Sequence, residues 1–399
     1  MNRRASGFAL VITVVLIALL VLVVLALSTL GRVGADVSAT GNYQVQARQH
    51  ALLALSQAMG ALQRYAGDDD MLTGMAGITG VPSGPGQPAR HWCAVWDGNG
   101  RFFRWLASGA ETALIPGLTG PDAFTLVAGG SLGADGTDKE HVRALLQPVV
   151  VHTRDRSSVS LGSYAWWVGD EGVKLSAVLP DGRHAVDALI NLPPDAPLLA
   201  NVVSYEQISL VPASITSTAL AGQLRANFHA LGRAHLSTTG PMPAEGLLNI
   251  NTNSHLFWRG LAATYNRLKP SSAPTISPVA FADWMRDHFL AADPGAGKAL
   301  NGPYPSVDLF LNSTALTGAL THSGGALLQF GDVMRPWLAV RSDTFRVRAY
   351  GGAVNPSEAS RIEATAWCEA IVQRIKDEPA SSQGRFIITY FRWLGPDDI

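Results

Sequence analysis

Apolar residues run unbroken from residue 8 to residue 30: seventeen of these 23 positions are Phe, Leu, Ile or Val, and none is charged. As a helix rising about 1.5 Å per residue, the run extends about 34 Å, enough to cross a bilayer. Over residues 36–65 the pattern changes. Proline is absent, and Leu52, Leu55, Met59 and Leu62 recur at steps of 3, 4 and 3, the spacing of one helical stripe. Gln44, Gln46, Arg48, Gln49, Gln57, Gln63 and Arg64 take the other faces, and Gly67 stops the helix. Gly31 and Gly34 are expected to make a soft joint between the two halves.

Beyond this stem, residues 68–90 are rich in Gly, Pro and Asp and read as a loop. Apolar stretches at 92–96 and 102–106 flank Asp97-Gly98-Asn99-Gly100, a strong hairpin signal. Residues 142–153, 163–168 and 173–178 read as strands, with Gly169-Asp170-Glu171-Gly172 as a turn. Helical spacing returns at 219–231, 256–268 and 279–290, with a turn-rich break at 270–278. Strands are expected again at 344–350, 362–375 and 385–393, where Phe345, Val347 and Ala349 alternate with Arg346, Arg348 and Tyr350. No fixed-period repeat is visible. The pattern predicts an α+β fold in which a transmembrane-plus-amphipathic helical stem carries a mostly antiparallel β-sheet head interrupted by an α-rich segment. The expected divisions are a transmembrane helix at 8–30, a stem helix at 31–67, the first part of the head at 68–192, an α-rich insertion at 193–335 and closing strands at 336–399.

Composition adds constraints. Thirty basic and 31 acidic residues leave a net charge of -1, with neither a basic stripe for nucleic acid nor an acidic tail. Charged residues are only 15 % of the chain, a balance suited to life outside the cytoplasm or inside an assembly. Cys93 and Cys368 allow one long-range disulfide, worth about 3–5 kcal/mol in chain-entropy terms, or two free buried thiols. The first apolar run is too long for a secretory signal core and lacks a small-residue cleavage context. A plain signal anchor is the simple alternative. Arg3 and Arg4 ahead of the run, against Arg32 and Asp36 beyond it, favour an N-in, C-out orientation.

Candidate chemistry is sparse. Gly129-Gly130-Ser131-Leu132-Gly133 matches a nucleophile-elbow pattern, but the helix that should follow is replaced by loop residues. Gly295-Ala296-Gly297-Lys298 lacks the first glycine and the Ser/Thr of a phosphate loop. The ten histidines show no metal-ligand spacing. Asp68, Asp69 and Asp70 read as a solvated helix end or, less simply, as calcium ligands. Asp170 and Glu171 are neighbours pointing to opposite faces, a poor acid/base pair. The ten tryptophans suit a β core better than a sugar platform. No catalytic residue, metal, cofactor or small-molecule substrate is indicated.

The leader Arg3-Arg4-Ala5-Ser6-Gly7-Phe8-Ala9-Leu10 resembles that of prepilins. The resemblance implies a seven-residue leader (1–7), cleavage between Gly7 and Phe8 by a prepilin peptidase, and N-methylation of Phe8. Further blocks resemble the large pilin-like proteins of the Verru-Chthon cassette protein A type found in verrucomicrobia. These are Gln46-Ala47-Arg48 through Tyr65-Ala66-Gly67, Trp92-Cys93-Ala94-Val95-Trp96-Asp97, the stretch from Tyr164 to Lys174, Leu248-Asn249-Ile250-Asn251, the stretch from Val340 to Gly351, and Ala366-Trp367-Cys368-Glu369-Ala370. Filament-building pilins usually carry a glutamate at the fifth mature position, where this chain has Ile12. K-type minor pseudopilins of type II secretion also lack that acid, and their Asn-x-Asn-Thr motif is similar to Asn249-Ile250-Asn251-Thr252. The resemblance therefore implies a minor or tip-like subunit of a type IV pilus or type II secretion-like assembly. It would be single-pass in the inner membrane with a periplasmic or extracellular head, and its partners would be a prepilin peptidase and other pilin-like subunits. The alternative is a signal-anchored periplasmic enzyme or glycan-binding protein whose site carries no recognised motif.

Overall fold

The computed structural model describes residues 5–81, 90–109, 111–112, 123–132, 141–152, 154, 158–176, 231–232, 248–356, 358–376 and 382–399. The chain opens with α1 (Ala5–Tyr65), 61 residues in one helix about 90 Å long. The helix passes unbroken through Gly31 and Gly34, because neither the missing side chains nor a competing turn residue outweighs the flanking helix formers.

The head is built on a five-stranded antiparallel sheet. In order it holds β14 (Arg385–Leu394), β13 (Glu358–Ile375), β12 (Thr344–Asn355), β7 (Ser158–Asp170) and β6 (Gln147–His152). A smaller sheet of β1 (Leu72–Met75), β2 (Cys93–Trp96) and β3 (Phe102–Trp105) joins it. The chain just after β3 lies against the end of β7 left free by β6, where Ser108 N donates to Trp166 O at 2.9 Å and Val168 N to Leu106 O at 2.9 Å. The expected hairpin is present: Gly100 takes φ +76°, and Asp97 Oδ1 accepts from Asn99 N and Arg101 N. β1 falls inside the segment read as loop. Four residues give too little periodicity to show, and the strand exists because it pairs with β2 from Leu72–Trp96 to Met75–Cys93.

β4 (Ala123–Val127) and β5 (Val142–Leu145) form a separate pair, and α2 (Gly129–Leu132) is a single turn between them. β8 (Leu175–Ser176) and β9 (Leu231–Gly232) are two-residue strands; of the strand expected at 173–178, Val173 and Lys174 lie in a turn, 175 and 176 are strand, and 177–178 lie outside the described residues. The helix expected at 219–231 lies otherwise outside the described residues. β10 (Leu248–Asn249) runs parallel to β11 (Leu338–Ala339). Between them lie α3 (His255–Leu268), α4 (Pro278–His288), α5 (Val307–Leu311), α6 (Thr314–Ser323) and α7 (Leu327–Met334). Ser254, Ser277, Ser306 and Ser313 cap the first four of these helices, each side chain accepting a backbone N–H of the first turn.

Two cores result. On one face of the sheet α1 packs over Val347, Ala349, Cys368, Ala370, Trp166 and Val168. On the other, Trp92, Trp96, Trp105, Trp167 and Trp258 fill a core shared with the α-rich segment. These five tryptophans are structural filling.

Candidate functional site in the stem and its seat on the sheet

Every described side chain from Leu10 to Asn42 is exposed. Within α1 the mean hydropathy reaches 3.5 over eighteen residues, none of them buried, so the helix is long and apolar enough to cross a membrane. Gly7 and Phe8 lie in its first turns, and Ile12 is 44 % exposed on its surface. Arg3 and Arg4 precede the described residues.

From Tyr43 onward the same helix is seated on the sheet. Its buried face is mostly alanine: Ala47, Ala51, Ala54, Ala58, Ala61 and Ala66, with Leu55 and Leu62. The stripe expected from large apolar residues is therefore corrected. Leu55 and Leu62 do point inward, but Leu52 is 42 % exposed and Met59 only half-buried. Small side chains let the helix approach the sheet closely, and His50 Nδ1 donates to Gly352 O at 2.8 Å. Gln44 and Gln63 add donor bonds to Thr365 O and Gly384 O.

The helix ends on cations. Arg341 donates to Asp68 O at 2.7 Å and Arg374 to Gly67 O at 2.6 Å, satisfying carbonyls that face the negative end of the helix dipole. Asp69 bonds Arg374 at 2.6 Å and also pairs with Lys376. Burial acts to raise its carboxyl, but the bonds from Lys376 and Arg374 outweigh that and lower it. The carboxylate considered for calcium is thus already matched by protein cations.

Where the stem ends, a buried polar hub ties the head together. Asn249 Nδ2 donates to Thr73 O at 2.9 Å and to Ser342 Oγ at 3.0 Å, while its Oδ1 accepts Asn251 N at 3.0 Å. Asn251 Nδ2 donates to Val340 O, and its Oδ1 accepts Tyr304 N. The Asn-x-Asn pattern therefore links β1, β11, the segment at Tyr304 and the chain entering β12, each amide working on both sides. Asp170 sits in this hub, accepting from Gly172 N at 2.9 Å and Thr73 Oγ1 at 3.2 Å. Its neighbour Glu171 turns the other way, into a charge network. There Lys174 and Arg346 bond Glu171 at 2.6 and 2.9 Å, and Arg346, Arg348 and Arg392 converge on Glu369 at 3.1, 2.8 and 3.1 Å. The two adjacent carboxylates serve separate networks.

Asp170 makes stability depend on pH. Burial pushes its carboxyl up to about 6, only partly offset by bonds from Ser342, Gly172, Thr73 and Val173. An acid that holds its proton more tightly when folded is stabilising while protonated, so that contribution is lost as pH rises from about 4 to 6. The loss is on the order of 3 kcal/mol. Asp170→Asn is therefore expected to abolish the fall in urea midpoint across this range, and a fall that persists in the variant would assign it to another group.

The remaining candidates are placed as follows. Cys93 and Cys368 are both buried and free, and four strand spacings separate β2 from β13, about 19 Å along the sheet. The possible disulfide is not formed, since bridging needs a Cα separation under about 7 Å. Burial pushes the Cys368 thiol up to about 12 and the Cys93 thiol well above its ordinary value, so neither is a ready nucleophile. Ser131 spends its hydroxyl on Asp398 O, and its N–H points to Ile399 O at 3.3 Å. Lys298 donates to Ala291 O at 2.9 Å and lies over the Phe289 and Tyr304 rings, which leaves no phosphate cradle. Among the described residues no group of three His, Cys, Asp or Glu is placed to hold a metal.

No protein-family model matches the chain, and no curated protein matches it. Among solved structures, the chain overlaps in part with a chain in the crystal structure of the GspK-GspI-GspJ complex of the enterotoxigenic Escherichia coli type 2 secretion system. The TM-score is 0.31 at 12 % identity, covering 62 % of this chain and 84 % of that one. A likeness of that size leaves the functional reading to the residues themselves.

Proposed function

We propose that this chain is a membrane-anchored, pilin-like or pseudopilin-like structural subunit, minor or tip-like, of a type IV pilus or type II secretion-like assembly. The observation that carries the reading is α1. One continuous helix is uncharged and apolar over residues 8–30, with every described side chain from Leu10 to Asn42 exposed, then becomes the alanine-faced core of the head over its second half. A hydrophobic surface of that length in water is untenable, so a bilayer or a bundle of similar stems must cover it. The leader of residues 1–7, with Arg3 and Arg4, fits processing between Gly7 and Phe8, and the inner membrane would receive the stem with its head outward. Ile12 in place of an acid fits a subunit that does not build the filament shaft.

Co-expression with a matching prepilin peptidase is expected to yield a membrane-extracted chain beginning at N-methylated Phe8, read by N-terminal sequencing and intact mass. An unprocessed Met1 under those conditions would sink the reading and leave a signal-anchored protein.

A further inference from the structure

The stem leaves a strip of the sheet uncovered. In β14, Ile388, Phe391 and Trp393 stand opposite Val372, Ala370 and Cys368 of β13, which places them on the stem side of the sheet. All three are nevertheless exposed, because α1 passes over the inner strands and stops short of this edge. On the flank of α1 turned toward them, Val45 and Leu52 are also exposed, with Arg48 between them. The Arg48 guanidinium lies 5.4 Å from the Trp393 ring centroid, and Phe391 packs edge-on against Trp393 at 5.4 Å.

Orientation limits what can fill the strip. Arg48 stands at Trp393, whereas Gln63 Oε1 accepts Phe386 N, so β14 runs antiparallel to the stem and the strip lies along the stem axis. Its lower end continues directly into the bare half of α1. A chain that covers it must stand beside the stem, parallel or antiparallel to it. Charge limits the occupant further. The strip carries no carboxylate, and among the described residues none lies within ion-pairing distance of Arg48, whereas Arg392 on the opposite face of β14 is held by Glu369. Burying Arg48 against another apolar surface is costly unless the partner supplies the opposite charge. A second copy related by a two-fold axis along the stem would bring Arg48 against Arg48.

We propose that this strip docks a different stem-bearing chain, which sets a carboxylate against Arg48 and packs apolar side chains on Leu52, Phe391 and Trp393. The aromatic pair beside a cation is the composition that dominates binding energy at protein interfaces. The inference rests on the proposed function, since it takes the partner to be a membrane-standing neighbour.

The test places a photo-crosslinking residue at Phe391 of the full chain in its native cells, with Leu328 on α7, also exposed, as the control position. The expected result is an adduct at 391 and not at 328, identified by mass spectrometry as another chain with an N-terminal apolar stem. Arg48→Glu should cut its yield at least tenfold while the thermal midpoint stays at the wild-type value, and an acid-to-Arg exchange in the captured chain should restore it. Leu52→Glu is the second variant, expected to act in the same direction. A self-adduct alone, equal adducts at both positions, or a yield indifferent to both variants would overturn the proposal. N-terminal sequencing of the same membranes separates the two claims: methylated Phe8 without the adduct removes the strip as a docking surface and leaves the proposed function standing.

Discussion

Glu369→Gln is expected to cost about 3–5 kcal/mol, enough to take most of a stability that for a typical domain is roughly 5–15 kcal/mol. Glu369 is 1 % exposed, and Arg346, Arg348 and Arg392 reach it from β12 and β14. Arg348 is itself buried, and its Nη1 donates to Leu126 O and Asp398 O. The glutamine keeps the shape and one acceptor but leaves three guanidinium groups around a neutral side chain, with the desolvation of the charges no longer offset. Burial acts to raise the Glu369 carboxyl, yet the charges of Arg346, Arg348 and Arg392 hold it well below the usual carboxylate range. A carboxyl so depressed contributes stability that is present above its ordinary value, about 4.3, and is lost as pH falls below it. Acid should therefore reproduce the variant. The measurement is urea unfolding followed by tryptophan fluorescence at pH 7. Asp283→Asn, which removes one of two carboxylates beside an exposed Arg286, should leave the midpoint unchanged. A Glu369→Gln midpoint equal to that control would mean that the arginines relax into water at little cost.

That network marks the limit of what the sequence made legible. Alternation of Phe345, Val347 and Ala349 with Arg346, Arg348 and Tyr350 correctly divides β12 into two faces. It does not reveal that both faces are covered: Arg348, on the polar face, is 1 % exposed. Periodicity reports direction, and burial depends on which layers arrive from elsewhere in the chain. Helices α3 and α4 were legible because their large apolar residues keep helical spacing. α5 and α7 escaped because five and eight residues are too few to show a period, and α6 because Thr, Ser and Gly dilute its stripe, although Ser306 and Ser313 as caps and Gly324 in the left-handed region were available as punctuation. The hub was visible only as a motif. Asn249 and Asn251 act through backbone groups of β1, β11 and Tyr304 that no local pattern connects. The stem was legible in extent and misread in facing, since weighing Leu above Ala hides a helix selected for closeness of approach.

Closeness of approach gives the second large expectation: Gly351→Leu should lift the stem off the sheet. A Cβ built on Gly351 would overlap Ala47 O and Ala51 N and come within 2.7 Å of the His50 carbonyl carbon. These are backbone atoms of a helix that cannot yield locally, so the helix as a whole must shift. The shift would part His50 from Gly352 O and open the alanine-lined core over Val347, Ala349 and Cys368. Overpacking of this kind typically costs 1–3 kcal/mol, and here the displaced element is the one that covers the inner strands on the stem face of the sheet, so about 3 kcal/mol or more is expected. The variant should also become protease-sensitive within residues 43–66, while hydrogen exchange in α3 and α4, on the far side of the sheet, changes less. Gly331→Ala is the matched control: nothing stands within 4 Å of that Cβ in α7, and alanine should stabilise the helix by up to about 1 kcal/mol. If Gly351→Leu unfolds no earlier than Gly331→Ala, and the stem keeps its protection, the seat of α1 has slack that these contacts deny. If protection is lost along residues 43–66 alone, the stem and the head are coupled through this backbone-to-backbone contact, and a single side chain added on β12 is felt along the whole seated half of the stem.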